Sequence, residues 1–539
     1  MLVSAEAEVY RGQLVGLSAH HGMSGRFPLF GCPIAAEPNA CDDRPRSRGN
    51  GRSSMGDERA DAVVVGARCA GSASASMLAR AGRRVVVLDR ARFPSDTLST
   101  HLMFPSGCSE FQRIGAWESI CEQLRPAQMR FVRITLDNGV DIFERLRAVD
   151  GIDHGVSIPR IQLDQLLVEN ARGAGADVRE RSTVTELLWE AGRVSGVVYK
   201  DADGSRRRIR SKLVVGADGR RSSVAAAVGA WRPYRASRNG RGLVFRYMDD
   251  PHPGGEWAQT LWQWRDGDSL AFAFPNPRGR ILILFMGDRR EAAESRSDPE
   301  RYWQRKLDQH PGCRQRIEGC SGETKLRSTG DTVAFFRASS GPGWALAGDA
   351  GHFKDPVIGQ GMRDALWMGR TLGEATATAL DQPAELDRCL RVWEADRDAE
   401  CLPAYHFANQ ETRVRHYSPI LAEALRHYGG DEHHPEIGDL FQRLRMPQEV
   451  LTLPRLAGSL ARAVVRSNER RVVVRDGLAD ALVELRVRRE IGRGEFRGTG
   501  TIAGSDHQGW SWAPEPARKP TAPEPSTEAE PADPQSAVA

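Results

Sequence analysis

The run VVVGARCAG at residues 63–71 has the residue types for holding a phosphate rather than for breaking a bond. Gly66 permits a tight bend out of a strand, and Gly71 lets the following helix pack closely on that strand. The helix N-terminus then offers unpaired N–H groups and a partial positive charge to a pyrophosphate. Asp89, 18 residues after Gly71, closes a second apolar run and is placed to accept hydrogen bonds from an adenosine ribose diol. Arg68 stands where the middle glycine of a GxGxxG turn belongs. Its Cβ crowds a pyrophosphate, and its guanidinium either returns charge-assisted hydrogen bonds to the phosphates or points to solvent. Two later runs, LVVGADGRRSSV at 213–224 and WALAGDAGHFKDPVIGQGMRDA at 344–365, again carry an apolar stretch into Gly and Asp. No catalytic nucleophile is assigned, and no cysteine or histidine spacing fits a metal.

These residues need elements to position them. Residues 61–66 and 84–89 read as short buried strands flanking a small-residue helix at 70–82, a βαβ unit with a parallel sheet. A helix follows near 107–123, then a hairpin around the Asp-Asn-Gly turn at 137–139, then a helix over 160–173. Strands are expected at 183–189, 194–200, 206–217 and 344–348, a β-rich stretch at 242–287, and helices from about 360 to 490. The domain reading is an N-terminal extension without core pattern over 1–60, with Met55 as the expected start, and a discontinuous cofactor domain over 61–380. Substrate-domain segments fall near 129–155 and 235–325, a helical region over 381–490 and a disordered tail over 491–539, rich in Pro and Glu from about 505.

Composition narrows the partners. With 539 residues, 75 basic against 71 acidic, the formal charge is only +4, which argues against nucleic acid. No apolar run approaches the ~18 residues of a membrane-spanning helix. Nine cysteines without a CxxC pair read as reduced thiols of a cytoplasmic protein. Segment 455–490 mixes many arginines with Leu456, Leu460, Val464, Leu482 and Leu485. It reads as a helix packed on the rest of the chain or on a homodimer partner, with an anionic membrane surface as the alternative.

Taken together and in order, the three motifs resemble the glutathione-reductase-type FAD proteins of the class A flavin monooxygenase family, whose prototype is p-hydroxybenzoate hydroxylase. The resemblance spans residues 61–380. It implies an α/β fold: a Rossmann FAD-binding domain with an inserted β-sheet substrate domain and a C-terminal helical region. It further implies that Asp349 holds the ribityl chain of FAD and that Asp218 and Gly219 contact flavin and nicotinamide. Pro356, Gly359 and Gly361 lead a helix toward the isoalloxazine, and Arg160 reaches the flavin side. His352 is either a structural hydrogen-bonding group or an active-site one. Arg363 departs from the family's usual Asn, and the Lys354–Asp355 step is charged where many hydroxylases are apolar.

The activity so implied is that of an FAD-dependent monooxygenase, in which NADH or NADPH reduces FAD and one atom of O₂ passes to a hydrophobic or aromatic small molecule. The pocket is expected under 242–287, with Trp262 and Trp264 on one face and Phe272 and Phe274 likewise on the next strand. A saturating reductase of the geranylgeranyl-reductase type shares the fold and is the alternative. A flavin halogenase needs a lysine soon after the first motif, and the first lysine here is Lys200. A flavin-binding sensor without turnover is the remaining reading.

Overall fold

The computed structural model describes residues 58–493 except 100, 238–239, 253 and 431–434. The Met55 start, the extension up to residue 57 and the tail from residue 494 lie outside the described residues.

Six strands form the central sheet, in the order Ser340–Gly341, Trp344–Leu346, Leu213–Gly216, Ala62–Val65, Val85–Leu88 and Asp177–Arg179. All neighbours are parallel except the first pair. The three inner strands that carry the Val runs are buried along their whole length, because both faces of the sheet are covered. One face bears the helix Cys69–Arg80, which packs on the helix Gly361–Thr376. Small residues let these two helices touch backbone to backbone: a Cβ at Gly369 would stand 2.3 Å from the carbonyl oxygen of Ala70. The opposite face packs against a four-stranded sheet made of Glu58–Arg59, Arg206–Arg210, Arg193–Lys200 and Thr183–Glu190.

Two expected elements divide. The strand expected over 206–217 is two strands in two sheets: the arginine-rich Arg206–Arg210 joins the four-stranded sheet, and the apolar Leu213–Gly216 enters the central one. The helix expected over 107–123 breaks at Gly115, whose φ of +67° ends Pro105–Arg113 before Trp117–Leu124 begins.

A seven-stranded sheet is drawn from two separated stretches of chain. Its order is Arg327–Thr329, Arg241–Asp249, Arg280–Asp288, Ser269–Asn276, Thr260–Asp266, Phe131–Leu136 and Asp141–Arg145. One face carries Leu261, Phe272, Phe274, Leu284 and Met286 toward the turn at 356–359, and the other packs under Tyr302, Trp303 and Leu307 of the helix Pro299–Gln309. From Pro383–Glu411 to Arg470–Arg493 the chain is helical. The α/β architecture is thus a Rossmann-type sheet, an inserted β-sheet and a C-terminal helical region. Among the described residues no helix is long and apolar enough to cross a membrane.

Candidate active site

The carboxyl ends of the central strands open into one cleft of about 880 Å³, toward the upper end of the ~300–1,000 Å³ typical of small-molecule sites. Gly66, at φ +101°, turns the chain from strand to helix there, and a Cβ on it would stand 2.4 Å from the carbonyl oxygen of Ala217. Gly71 does not line the cleft. It lies behind the turn, where a Cβ would meet the Gly66 carbonyl oxygen. Asp89 is buried at the end of the second strand. Its Oδ2 accepts from Ala67 N and its Oδ1 from Ala91 N, each at 2.7 Å, so it braces the turn after Gly66 while each oxygen keeps a lone pair for a further donor.

Arg68 lines the cleft and is 26% exposed. Its guanidinium lies at the cleft but is held by protein: it pairs with Asp164 and donates to Ser95 O at 3.2 Å and Ser95 Oγ at 3.0 Å. Arg160 grips the same carboxylate through two bonds, Nε to Oδ1 at 2.9 Å and Nη2 to Oδ2 at 3.0 Å. Asp164, fully buried, therefore ties the first turn of the helix Arg160–Gly173 to the dinucleotide turn.

Asp218 and Asp349 enter from neighbouring strands. Asp218 Oδ2 accepts from Ser223 N at 2.7 Å and Ser223 Oγ at 2.8 Å, while its Oδ1 is buried without a partner. Gly219 follows at φ +82°. Asp349 lines the cleft, no described side chain or backbone N–H reaches its carboxylate, and burial pushes its pKa up to about 6 against the pull of Arg220 and Arg160. Beyond it, Asp355 caps the turn Pro356–Ile358 by accepting from Val357 N at 2.9 Å, and Thr412 Oγ1 donates to its other oxygen at 2.6 Å. Gly359 closes the turn at φ +64°, and Gly361 starts a helix with open space where a Cβ would stand. Ten of the eleven residues singled out in the sequence, all but Gly71, line this one cleft.

Residues 59–388 match the family described as FAD binding domain. The chain belongs to this family. It is an FAD-dependent oxidoreductase with a class A flavoprotein fold. Menaquinone reductase of Mycolicibacterium smegmatis is 27% identical over 331 residues, 59% of this chain and 76% of that protein. Digeranylgeranylglycerophospholipid reductase 2 of Methanothermobacter thermautotrophicus is 28% identical over 334 residues, 60% of this chain and 78% of that one. In fold, the myxobacterial chondrochloren halogenase CndH superposes with a TM-score of 0.60 at 20% identity, covering 76% of this chain and 91% of that one.

The cleft of this FAD-dependent oxidoreductase fits its cofactor. A bare Asp349 carboxylate and the orphaned Asp218 Oδ1 are acceptors waiting for hydroxyl or amide donors, and a buried acceptor without a donor is costly. Two helix N-termini, at Cys69 and Gly361, face the same space, the first suited to phosphate and the second to a ring that becomes anionic. Residues that sequence reasoning missed are Asp164 as the shared anchor, Ser95, and Arg220 stacked 4.6 Å over Phe353 at the cleft wall.

A second, apolar pocket adjoins the cleft at Leu102, Pro356 and Gly359. Phe104, Phe272, Phe274, Met286 and Phe441 help to wall it, and Gln263 is its one polar side chain; no ionisable group lines it. Its free space of about 20 Å³ admits little more than a water. The expected tryptophan wall is corrected here. Gln263 pairs with Phe272, whereas Trp262 pairs with Ala273 and Trp264 with Ala271, so the tryptophans lie on the opposite face. There Trp262 stacks between Trp257 and Trp264, away from the pocket.

The charged step at 354–355 and Arg363 also turn inward. Lys354 Nζ and the guanidiniums of Arg363 and Arg443 all bind Asp364, and Arg363 pairs with Glu400 at 2.9 Å. His352 is buried outside the cleft, with Nδ1 2.9 Å from the Phe335 carbonyl and its ring 3.9 Å from Phe336. His352, Asp364 and Cys401 bring potential ligand atoms within 4.8 Å of one another. Both Asp364 oxygens already hold cationic side chains, so this cluster is a filled ion-pair core rather than a metal seat.

Proposed function

We propose that this enzyme is a reductase that adds two hydrogens across a carbon–carbon double bond of a long, apolar molecule. The observation that carries this reading is the apolar pocket at the 356–359 turn, which offers hydrocarbon contacts and a single amide but no ionisable group. The single amide can pair one polar group at most, whereas a hydrocarbon chain needs no such partner. The two reductases named above support it, because one reduces menaquinone and the other digeranylgeranylglycerophospholipid. The seven-stranded sheet is, in this reading, the substrate domain.

Each site residue then has a part. Gly66 and the first turn of the helix Cys69–Arg80 would take the pyrophosphate, and Asp89 the adenosine ribose. Asp349 would accept from the ribityl hydroxyls, with Asp218, Gly219 and Arg160 flanking the middle of the cofactor and Arg68 acting through Asp164. Pro356, Gly359 and Gly361 would bear on the ring, where the helix N-terminus favours negative charge. FAD, when bound, supplies the hydride chemistry, with NADH or NADPH as the proposed electron source. The phenylalanines would exclude water and hold the double bond against the turn, with Gln263 as the one polar side chain beside the chain.

Oxygen insertion is the second reading. It rests on the His352…Pro356…Gly359-x-Gly361 spacing and on aromatic walls able to keep water from a reactive oxygen species. One experiment separates the two: the purified holoenzyme is given NADH or NADPH and a panel of prenyl quinones and geranylgeranyl lipids, once without O₂ and once under ¹⁸O₂. The expected product forms without O₂ and is two hydrogens heavier. A product that requires O₂ and carries one heavy oxygen overturns the reductase reading.

A further inference from the structure

The last helix, Arg470–Arg493, is packed on one side only. Val473, Gly477 and Val487 are buried, and a Cβ at Gly477 would stand 2.7 Å from Ile420 and 2.8 Å from Leu460, so its rotation about its own axis is set. On the outer side Val474, Leu478, Leu482 and Leu485 are 39%, 57%, 68% and 49% exposed. Their spacing places them in one stripe along the helix. Exposed Arg471 and Arg489 share that stripe, and exposed Arg475, Arg486 and Arg493 border it on one side.

The acids of this helix are spent elsewhere. Asp480 pairs with Arg415 at 2.9 Å, Glu484 with Arg488 at 2.8 Å, and Glu490 with Arg235 and His406. Only Asp476 remains near the outer face, 2.9 Å from Arg475. The outer face is therefore leucine and arginine with almost no negative charge.

We propose that this face docks on an anionic lipid bilayer, lying in the plane of its surface. Leucines at the centre would enter the acyl boundary while the arginines meet the acidic headgroups, as in basic amphipathic helices that bind without spanning. The charge selects the bilayer over a second copy of the chain. A twofold contact through this stripe would bring arginine rows against each other, whereas anionic headgroups neutralise them. The position suits a lipid substrate. Arg488 of the same helix donates to Gln448 O at 3.4 Å and Leu451 O at 2.5 Å. That turn follows Met446 and Pro447, which line a small cavity sharing Ile358 and Phe441 with the apolar pocket. Docking does not depend on the reductase reading: the assay below contains no substrate and reads no turnover.

The test uses the full-length holoenzyme and sedimentation with vesicles of phosphatidylcholine alone or mixed with phosphatidylglycerol. Binding is expected to be at least ~tenfold stronger to the mixed vesicles and to fall with added salt. The double variant Leu478→Glu/Leu482→Glu, at two exposed positions, should lose binding while keeping its FAD content and melting temperature. Arg475→Glu/Arg486→Glu/Arg489→Glu should lose it as well, and the matching lysine variants should keep it, since charge rather than fork geometry is used. Equal or no binding to the two vesicle types overturns the proposal. So does a wild-type dimer, seen by light scattering, that becomes monomeric in the leucine variant and ignores vesicles.

Discussion

A Cβ on Gly71 would lie 1.8 Å from the carbonyl oxygen of Gly66, inside any allowed contact. The obstacle is backbone on the very turn that faces the cleft, so it cannot yield cheaply. Gly71→Ala should therefore give insoluble or flavin-free protein. Gly361 offers the contrast, because a Cβ there meets nothing within 4 Å. Gly361→Ala should melt at or above the wild-type temperature, while Gly361→Val should keep the fold and perturb the flavin absorbance. Purification yield, melting temperature and FAD-to-protein ratio check the pair. A stable, yellow Gly71→Ala protein would refute the packing argument.

Asp349 predicts a pH dependence. Its folded pKa of about 6 stands above the ordinary 3.8, so burial in the apoprotein favours the protonated form relative to the unfolded chain. The stabilising contribution is full below about 3.8 and lost as pH rises through about 6. Hydroxyl donors from a ribityl chain favour the ionised form instead. FAD retention should thus weaken as pH falls through about 6, and Asp349→Asn should flatten that profile while lowering affinity overall. Release of flavin fluorescence, measured against pH, reads both.

The clamp around Asp164 is unequal. Arg160 is buried and holds it with two bonds, whereas Arg68 is 26% exposed. Arg160→Ala should cost on the order of 3 kcal/mol in urea unfolding, since it strips the main partner from a buried carboxylate. Arg160→Lys should recover only part, lacking the fork. Arg68→Ala should cost nearer 1 kcal/mol, because solvent screens that pair. A larger loss for Arg68→Ala would mean that the clamp is organised from the dinucleotide turn.

Gln263 tests the apolar pocket. Gln263→Leu should leave FAD content unchanged and keep kcat/KM for a hydrocarbon-chain substrate within about threefold, because a hydrocarbon makes no hydrogen bond that the change removes. Gln263→Glu would put a charge against that chain and should lower kcat/KM by about a hundredfold or more. Steady-state kinetics on one prenyl substrate compares the two. Equal rates in wild type and Gln263→Glu would place the reacting chain elsewhere.

What the sequence determined by itself was the set of backbone turns. A strand-to-helix bend needs Gly66, close packing of the helix on the strand needs Gly71, and the Asp-Gly and Gly-Asp runs mark where the central strands end. These demands are local, so the order of motifs is enough to name the fold, and ten of the eleven chosen residues share one cleft. Facing and partnership were left to the tertiary structure. Alternation shows that Trp262 and Trp264 share a face, but only pairing with Ala273 and Ala271 across the ladder decides that it is the face away from the pocket. Arg68 finds Asp164 96 residues away, and no spacing rule reaches that far. The charged Lys354 and Arg363 are likewise drawn inward to Asp364 by burial, and the leucines of the last helix stay outside because its other side is already filled. Local sequence sets what the backbone can do; which side chains meet depends on long-range pairing, whose free energy exists only once the layers have come together.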